Sequence, residues 1–257
     1  MPGKRIGVVS IAGFDPSGGA GVLADIKTFE ANKVYGYGVV SALTFQNDSE
    51  FEGLKWIETD EILKQLTILS KKFKFEYIKI GMIKDIETLN QLISNLKSQI
   101  LIPNSQFLIP KLIWDPILKA TVGFRIHNKI EKDQFISICK NIFLITPNIE
   151  EIRILMKEKD EMKAAKELSQ YCNVFLKGGH SEKDKGRDYL FMKDRQFSFR
   201  PKENAAYPKH GSGCVLSSAI TANLAKGYKL HPACLRGKEY VTKFLLSNKT
   251  LIGYHKI

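Results

Sequence analysis

Short apolar runs rich in β-branched residues alternate along this chain with longer amphipathic stretches, and this alternation constrains the fold more than any other feature. The short runs have the length of buried strands, and the stretches between them carry apolar residues at helical spacing. Such an alternation favours a parallel sheet covered by helices on both faces. We therefore expect an α/β fold with a central, mostly parallel sheet. The predicted strands cover residues 6–12, 37–45, 77–83, 107–114, 142–146 and 174–178.

The predicted helices lie between and after these strands. They cover residues 20–32, 60–73, 86–96, 131–140, 149–171 with a break near Lys157, 213–225 and 231–247. Two short alternating runs, 188–192 and 196–200, are separated by three turn residues, which predicts an antiparallel hairpin at one edge of the sheet. We expect a single domain over residues 1–257.

The chain is basic, with 39 Lys plus Arg against 27 Asp plus Glu and a net charge of +12. A basic balance raises the question of a nucleic-acid or membrane partner. Here the lysines are dispersed on polar faces, without an arginine cluster or a pattern of stacking aromatic residues. We expect no nucleic-acid and no membrane partner, whereas small polyanionic substrates benefit from the positive field.

The four cysteines are scattered and form neither a C-x-x-C pair nor a cluster with zinc-ligand spacing. They are Cys139, Cys172, Cys214 and Cys234. Reduced thiols fit this spacing best. The first apolar stretch is too short for a signal peptide, and no segment has the length of a membrane span. These features predict a cytoplasmic protein.

Residues 210–214 read HGSGC and stand directly before an apolar run that predicts a helix. Two glycines let the backbone approach a ligand closely, and a helix N-terminus presents free N–H groups and a positive dipole end. This pattern predicts an anion site. The helix terminus is also expected to lower the pKa of Cys214 toward a thiolate. The alternative is an ordinary tight turn in which Cys214 is a small buried residue.

Polar and small residues follow every predicted strand. They are residues 13–21, 46–47, 81–82, 115–116, 146–151, 177–180 and the loop 210–214. Each segment alone is weak evidence, because turn formers are common at strand ends. Ligands of open α/β sheets bind at the carboxyl ends of the strands, so these segments together predict a binding cleft at one edge of the sheet.

The first loop contains G-x-G-x-x-A from Gly19 to Ala24, which superficially matches a dinucleotide-binding fingerprint. That fingerprint places its first glycine directly after the strand. Here the predicted strand ends near Ala12, and an Asp-Pro-Ser insertion precedes the glycines, so we reject this interpretation. The sequence also lacks the G-x-x-x-x-G-K-[ST] pattern of a P-loop.

The chain resembles the hydroxymethylpyrimidine kinase / phosphomethylpyrimidine kinase family of thiamine biosynthesis, within the ribokinase-like superfamily. The resemblance covers residues 6–245 and rests, in chain order, on GFDPSGGAGVLADIKTF, Gln46-Asn47, KIGM, Asp115-Pro116, TPNIEE, LKGGH and HGSGCVLSSAI. It implies a ribokinase-like fold, a homodimer, and Mg²⁺-supported transfer of the γ-phosphoryl group of ATP. The acceptors it implies are 4-amino-5-hydroxymethyl-2-methylpyrimidine and then its monophosphate.

The resemblance assigns the reacting centre to the two-glycine loop. It implies that the N–H groups of Gly211, Ser212, Gly213 and Cys214 hold the transferring phosphoryl group. Other members of the superfamily have an aspartate base where Cys214 stands, so Cys214 is the candidate proton acceptor or the residue that orients the acceptor hydroxyl. His210 is expected to contact phosphate or to shape the loop.

The nucleotide and metal ligands are expected on neighbouring strand ends. Lys177 is a candidate cation for the ATP phosphates, although a lysine at a strand end also snorkels to solvent. Asn148 and Glu151 lie one helical turn apart and are candidates to hold Mg²⁺ through water, or they form a capping box. Asp115, held extended before Pro116, is a candidate to support the metal or the phosphates.

The pyrimidine is expected at the other end of the cleft. The amide of Gln46 offers a donor and an acceptor in one plane, which suits an aminopyrimidine. By resemblance, Gly13, Ala20 and Met82 line the ring, although periodicity alone makes Met82 a core residue. Asp25 belongs to the first-loop motif and is grouped with the substrate residues.

The sequence departs from the family pattern at Phe14, Pro208 and Lys209, which affects nucleotide affinity and the shape of the cleft. Two alternatives remain. A pyridoxal or pyridoxine kinase of the same superfamily phosphorylates a substrate of similar shape. A non-catalytic anion or nucleic-acid binder would need the basic charge and none of the phosphate-transfer residues.

Overall fold

A computed structural model describes residues 6–98, 109–119, 130–179, 186–201 and 207–255. The strands are β1 (Gly7–Phe14), β2 (Tyr35–Gln46), β3 (Phe51–Trp56), β4 (Tyr77–Ile80), β5 (Lys111–Trp114), β6 (Leu144–Ile145), β7 (Asn173–Leu176), β8 (Asp188–Met192) and β9 (Arg195–Phe199). The helices are α1 (Gly21–Ala31), α2 (Thr59–Ser70), α3 (Ile86–Ser98), α4 (Lys132–Cys139), α5 (Ile149–Met156), α6 (Glu161–Leu168), α7 (Ser212–Ala225) and α8 (Leu230–Leu245). The predicted α/β organisation is confirmed.

The strands form one sheet in the order β3-β2-β1-β4-β5-β6-β7-β8-β9. Six neighbouring strands are parallel to one another, namely β2, β1, β4, β5, β6 and β7. At one edge β3 runs antiparallel to β2, and at the other edge β8 and β9 form the predicted antiparallel hairpin. The prediction of a mostly parallel sheet with an edge hairpin is therefore confirmed.

Two apolar cores lie on opposite faces of the sheet. One contains Leu89, Phe135 and Ile152 from the α2–α6 side, and the other contains Ile220 and Val241 from the side of α1, α7 and α8. Removing this apolar surface from water on both faces stabilises the three-layer arrangement. None of the described helices is long and apolar enough to cross a membrane.

The structure differs from the sequence predictions at β3, within the predicted helix 149–171 and at the predicted strand 107–114. β3 was not predicted, because Glu52 and Lys55 interrupt its apolar pattern and its pairing with β2 stabilises it. The predicted helix 149–171 is divided into α5 and α6, and the expected break is confirmed at Lys157, whose φ of 52° is left-handed. The predicted strand 107–114 is β5, whose range begins at Lys111, and residues 107 and 108 lie outside the described residues.

The order of strands reverses next to β1. The chain passes from β1 to β2 on one side and later to β4 on the other side. At such a reversal the two connections diverge, which leaves a crevice at the carboxyl ends of β1 and β4. The loop that follows β1 and the start of α7 both lie at this crevice, since Gly19 and Gly211 are in contact there.

Candidate active site

The loop after β1 and the loop before α7 fit into each other through glycines. Gly21 and Gly211 have left-handed φ values of 59° and 70°. A Cβ on Gly211 would overlap the carbonyl oxygen of Gly19, and a Cβ on Gly21 would overlap that of Gly13. Both positions therefore require glycine for backbone conformation and for space. Because β1 continues to Phe14 and α1 starts only at Gly21, the rejection of a dinucleotide fingerprint is consistent with the structure.

A buried pair, Asp15 and His210, ties these loops together. His210 Nε2 lies 2.8 Å from Asp15 Oδ2, and the same oxygen accepts the N–H of Ala20 at 2.8 Å. Burial acts to raise the pKa of Asp15, but the hydrogen bonds from His210, Ser17 and Ala20 outweigh it and lower that pKa. Asp15 is thus ionised and Nε2 donates. The structure places His210 between the two loops with its ring 3% exposed, which fits the loop-shaping role, and the phosphate contact stays a prediction.

The first turn of α7 has the form of an anion site. Gly211 is its N-cap and provides no side-chain cap. The first hydrogen bond within the helix runs from Val215 N to Gly211 O. The N–H groups of Ser212, Gly213 and Cys214 thus precede the regular helical pattern, where a ligand can accept them.

The expected lowering of the Cys214 pKa is wrong. The thiol is 7% exposed, and burial raises its pKa to about 11. The charge of Lys79 opposes this shift, whereas Asp25 and Asp115 add to it. The helix terminus favours a thiolate, but desolvation by the packed surroundings is the larger effect. Cys214 is therefore a neutral thiol at pH 7.

Lys177 and Asp115 lie directly beside the glycine loop. Lys177 Nζ is 2.7 Å from Asp115 Oδ1 and would be 3.4 Å from a Cβ on Gly213. Ser217 of α7 donates to Asp115 Oδ2 at 3.1 Å, and Thr146 donates to Oδ1 at 3.3 Å. Burial acts to raise the pKa of Asp115, but Lys177 and Lys79 lower it overall. An ionised carboxylate thus holds the ammonium of Lys177 against the anion site.

Asn148 and Glu151 form the capping box that was one of their two predicted roles. Asn148 Oδ1 accepts the N–H of Glu151 at 2.8 Å, and Glu151 Oε2 accepts the N–H of Asn148 at 2.8 Å. Glu151 Oε2 is also 3.9 Å from Lys177 Nζ. Burial raises the pKa of Glu151 to about 7, opposed by Lys177 and assisted by Asp115. The negative charge of the Glu151 carboxylate is thus less well stabilised than that of Asp115.

Asp115 and Glu151 meet at Lys177, which is the part of the site that fits a divalent cation. The described residues contain no group of three or more His, Cys, Asp or Glu side chains arranged to hold a metal. Mg²⁺ keeps several waters and is held in proteins by one or two carboxylates together with substrate phosphates. Two carboxylates beside the uncapped start of α7 fit that requirement.

Sequence reasoning missed Lys79, which lies below the glycine loop. The side chains of Lys79 and Asp25 are both 0% exposed, and Nζ lies 2.8 and 3.0 Å from the two carboxylate oxygens. Ser10 and Ser218 donate to the same carboxylate. Asp25 was expected among the substrate residues, and the structure places its carboxylate against Lys79 with the side chain 0% exposed; its part in substrate binding stays a prediction. A lysine inside the apolar strand β4 was the available signal.

The residues expected around the pyrimidine gather at the carboxyl ends of β1, β2 and β4. A Cβ on Gly13 would be 3.0 Å from Met82 Sδ and 3.6 Å from Thr44 Cγ2. Gln46 is half-buried and ends β2, two residues after Thr44. Gly13 thus opens space beside the thioether of Met82. Ala20 lies half-buried at the junction of the two loops.

Comparison with known proteins gives consistent relatives. Residues 15–256 match the model of the phosphomethylpyrimidine kinase family. A hydroxymethylpyrimidine/phosphomethylpyrimidine kinase from Aquifex aeolicus is 32% identical over 256 residues, which cover 95% of each chain. The crystal structure of a phosphomethylpyrimidine kinase from Clostridium difficile 630 has a TM-score of 0.76 at 30% identity and covers 93% of this chain and 99% of its own.

A second kind of kinase has the same fold. The pyridoxal kinase from Staphylococcus aureus in complex with ADP has a TM-score of 0.79 at 25% identity, covering 95% of this chain and 89% of its own. Backbone similarity alone therefore does not separate the two activities. The family match and the higher sequence identities do favour the pyrimidine kinases.

Proposed function

The chain belongs to the phosphomethylpyrimidine kinase family, and from this we propose that it transfers the γ-phosphoryl group of ATP to 4-amino-5-hydroxymethyl-2-methylpyrimidine and then to the resulting monophosphate. The observation that carries the proposal is the ammonium of Lys177, held by Asp115 against Gly213 at the uncapped start of α7. A fixed cation beside free helical N–H groups suits a transferring phosphoryl group.

Phosphoryl transfer needs positioning and charge stabilisation more than covalent help from the protein. In our proposal the N–H groups of Ser212, Gly213 and Cys214 bind the transferring group, while Lys177 binds the phosphate oxygens of ATP. Glu151 and Asp115 would hold Mg²⁺ through water, and the ion would supply positive charge beside the phosphates. The capping box with Asn148 fixes the direction of the Glu151 carboxylate.

Cys214 acts in this proposal as an orienting residue. With a pKa of about 11, only about 10⁻⁴ of the thiol is ionised at pH 7, so a free thiolate base is scarce. The phosphoryl transition state is loose, and the acceptor hydroxyl does not need to be ionised before transfer begins. A neutral thiol at the end of the loop accepts a hydrogen bond from that hydroxyl and aims its oxygen at phosphorus.

The pyrimidine binds in the proposal between Gly13, Met82, Ala20 and Gln46. The gap at Gly13 admits a flat ring, and Met82 packs against the ring face. Gln46 pairs with the amino group and a ring nitrogen. The ring then lies across the junction of the two glycine loops, next to the anion site.

The pyridoxal kinase alternative is supported by the TM-score of 0.79. The test measures ADP release by the purified protein with Mg-ATP and, separately, hydroxymethylpyrimidine, its monophosphate and pyridoxal. We expect turnover with both pyrimidines, and weaker turnover or none with pyridoxal. Turnover with pyridoxal alone would establish the alternative. Lack of turnover with all three, together with salt-dependent binding of nucleic acid, would favour the non-catalytic binder.

We also propose a cytoplasmic homodimer. The exposed side chains of Leu43 and Phe45 on β2 supply apolar surface that a second copy can cover. Light scattering with the wild-type chain measures the mass directly, and a mass of one chain would contradict this part of the proposal.

A further inference from the structure

The chain after α8 returns to the glycine loop. We define residues 247–255 as the C-terminal strap. The N–H of His210 donates to Leu251 O at 2.9 Å. A Cβ on Gly19 would lie 2.8 Å from Ile252 Cδ1, so Ile252 closes the space beside the other glycine loop. The strap thus contacts both loops that build the anion site.

The strap has its own fixed structure. Asn248 Nδ2 donates to Ile252 O at 2.9 Å, and Asn248 Oδ1 accepts the N–H of Thr250 at 3.0 Å. Gly253 lies so close to the ring of Phe244 in α8 that a Cβ there would be 2.6 Å from Cζ. This turn leaves the backbone carbonyls of Asn248 and Thr250 directed at one point.

Lys209 occupies that point. It is 6% exposed, and its Nζ donates to Asn248 O and to Thr250 O, both at 2.6 Å. The ring of Tyr207 lies 5.6 Å from the same ammonium. Hydrogen bonds from a charged donor are stronger than neutral ones, and a buried ammonium requires such partners. Lys209 immediately precedes His210, and it is one of the positions where the sequence departs from the family pattern.

We propose that Lys209 is a positioning residue that acts as a tethered monovalent cation and fastens the C-terminal strap to the phosphate-binding loop. This inference rests on the proposed kinase function for its effect on turnover. Backbone carbonyls that converge on one point are ligands for small monovalent cations, and here the chain supplies the cation itself. The two bonds from Nζ and the bond from His210 N to Leu251 O fix the residues just before Gly211.

The test compares Lys209→Ala with Lys249→Ala. Lys249 lies between the two carbonyl residues in the same strap, and its side chain is exposed, which makes it a matched control. Removing two charge-assisted bonds should lower kcat/KM for ATP about tenfold or more in Lys209→Ala, with little change in Lys249→Ala. Hydrogen exchange should become faster in residues 250–255 of Lys209→Ala only. Ammonium chloride, compared with sodium chloride at equal ionic strength, should restore part of the turnover.

Unchanged turnover in Lys209→Ala would overturn the proposal, as would a loss of turnover without faster exchange in the strap or without recovery in ammonium. If Lys209→Ala fails to fold, Lys209→Met keeps the apolar stem and serves in the turnover and exchange measurements. Absence of turnover in the wild type would contradict the proposed kinase function instead. In that case the exchange comparison still tests whether Lys209 fastens the strap, and equal exchange in both variants would overturn it.

Discussion

Lys79 and Lys177 each pair with an aspartate near the same glycine loop, but the two pairs differ in how completely their charges are buried and hydrogen-bonded. We call Lys79, Asp25, Ser10 and Ser218 the closed pair, because both charged side chains are 0% exposed and the serines complete the carboxylate's hydrogen bonds.

We call Lys177, Asp115 and Glu151 the open cluster. The side chain of Lys177 is 14% exposed, and it lies 2.7 Å from one carboxylate and 3.9 Å from the other. The pKa of Asp115 is lowered while that of Glu151 is raised to about 7. Proteins pair buried charges for structural reasons too, but two carboxylates with diverging pKa values beside a free helix terminus have capacity left for a ligand. In our proposal the closed pair supports the site, and the open cluster binds the phosphates and the metal.

The largest expected effect is the loss of stability in Lys79→Met. The variant leaves the carboxylate of Asp25 buried without its cation, and breaking a buried pair from one side costs about 3–5 kcal/mol. We expect urea denaturation, followed by circular dichroism, to show a decrease of this size in the free energy of unfolding.

Two further variants sharpen this result. Combining Lys79→Met with Asp25→Asn removes both charges and keeps an acceptor for the serines, so stability should recover in part. Lys64→Met removes the cation of the exposed pair Lys64–Asp60 and should leave stability unchanged. Equal stability of Lys79→Met and the wild type would contradict the structural role of the closed pair.

Lys177→Met should reduce activity more than stability, whereas Lys79→Met should mainly reduce stability. Loss of the cation that we propose to hold the phosphates should lower kcat/KM for ATP about 10²–10³-fold, while the free energy of unfolding decreases less than in Lys79→Met. ADP release and urea denaturation measure the two quantities on the same preparation. Lys226→Met, at the other end of α7, is the control. A variant that keeps its turnover but unfolds easily would show that Lys177 belongs with structural pairs.

Much of the open cluster could be predicted from the sequence, whereas the closed pair could not. Asp115, Lys177 and the Asn148–Glu151 cap follow predicted strands, and parallel strands bring their carboxyl ends to one edge. Lys79 stands in an apolar run, and its partner Asp25 lies 54 residues away, so no local pattern connects them. β3 escaped prediction for a related reason, since its pairing with β2 rather than its own pattern makes it a strand.

The third prediction concerns pH and the open cluster. Burial raises the pKa of Glu151 from 4.5 to about 7, so between these values the folded protein binds more protons than the unfolded chain. Stability contributed by this group is therefore lost as the pH rises through about 7. Glu151→Gln keeps a capping residue and removes the titration. The difference in unfolding free energy between variant and wild type should grow by about 3 kcal/mol from pH 4.5 to pH 8.

Denaturation at several pH values, with the same buffers for both proteins, measures this difference. Asp115 does not interfere, because its pKa is lowered and it titrates below this range. A constant difference across this pH range would mean that the folded structure fully compensates the buried charge of Glu151. Glu151 would then resemble Asp25 of the closed pair.

Cys214 lies between the two groups, and its charge state shows the limit of local sequence reasoning. A helix N-terminus is visible in the sequence and favours a thiolate, but the burial that dominates comes from residues distant in the chain. Lys79 of the closed pair lowers the pKa of the thiol, and Asp115 of the open cluster raises it. Neither influence could be assigned before the fold was known.

Cys214→Ser should therefore have the smallest effect of the four. A serine hydroxyl accepts the same hydrogen bond as a neutral thiol, so an orienting role predicts a decrease in kcat of less than about tenfold, with KM for ATP unchanged. A thiolate base predicts a much larger decrease, because the pKa of a serine hydroxyl lies far above that of a thiol. Cys234→Ser, in a second buried thiol on α8, controls for the general effect of replacing sulfur in the core. A decrease of several hundredfold in Cys214→Ser alone would show that bound substrate ionises this thiol, and would place Cys214 functionally in the open cluster.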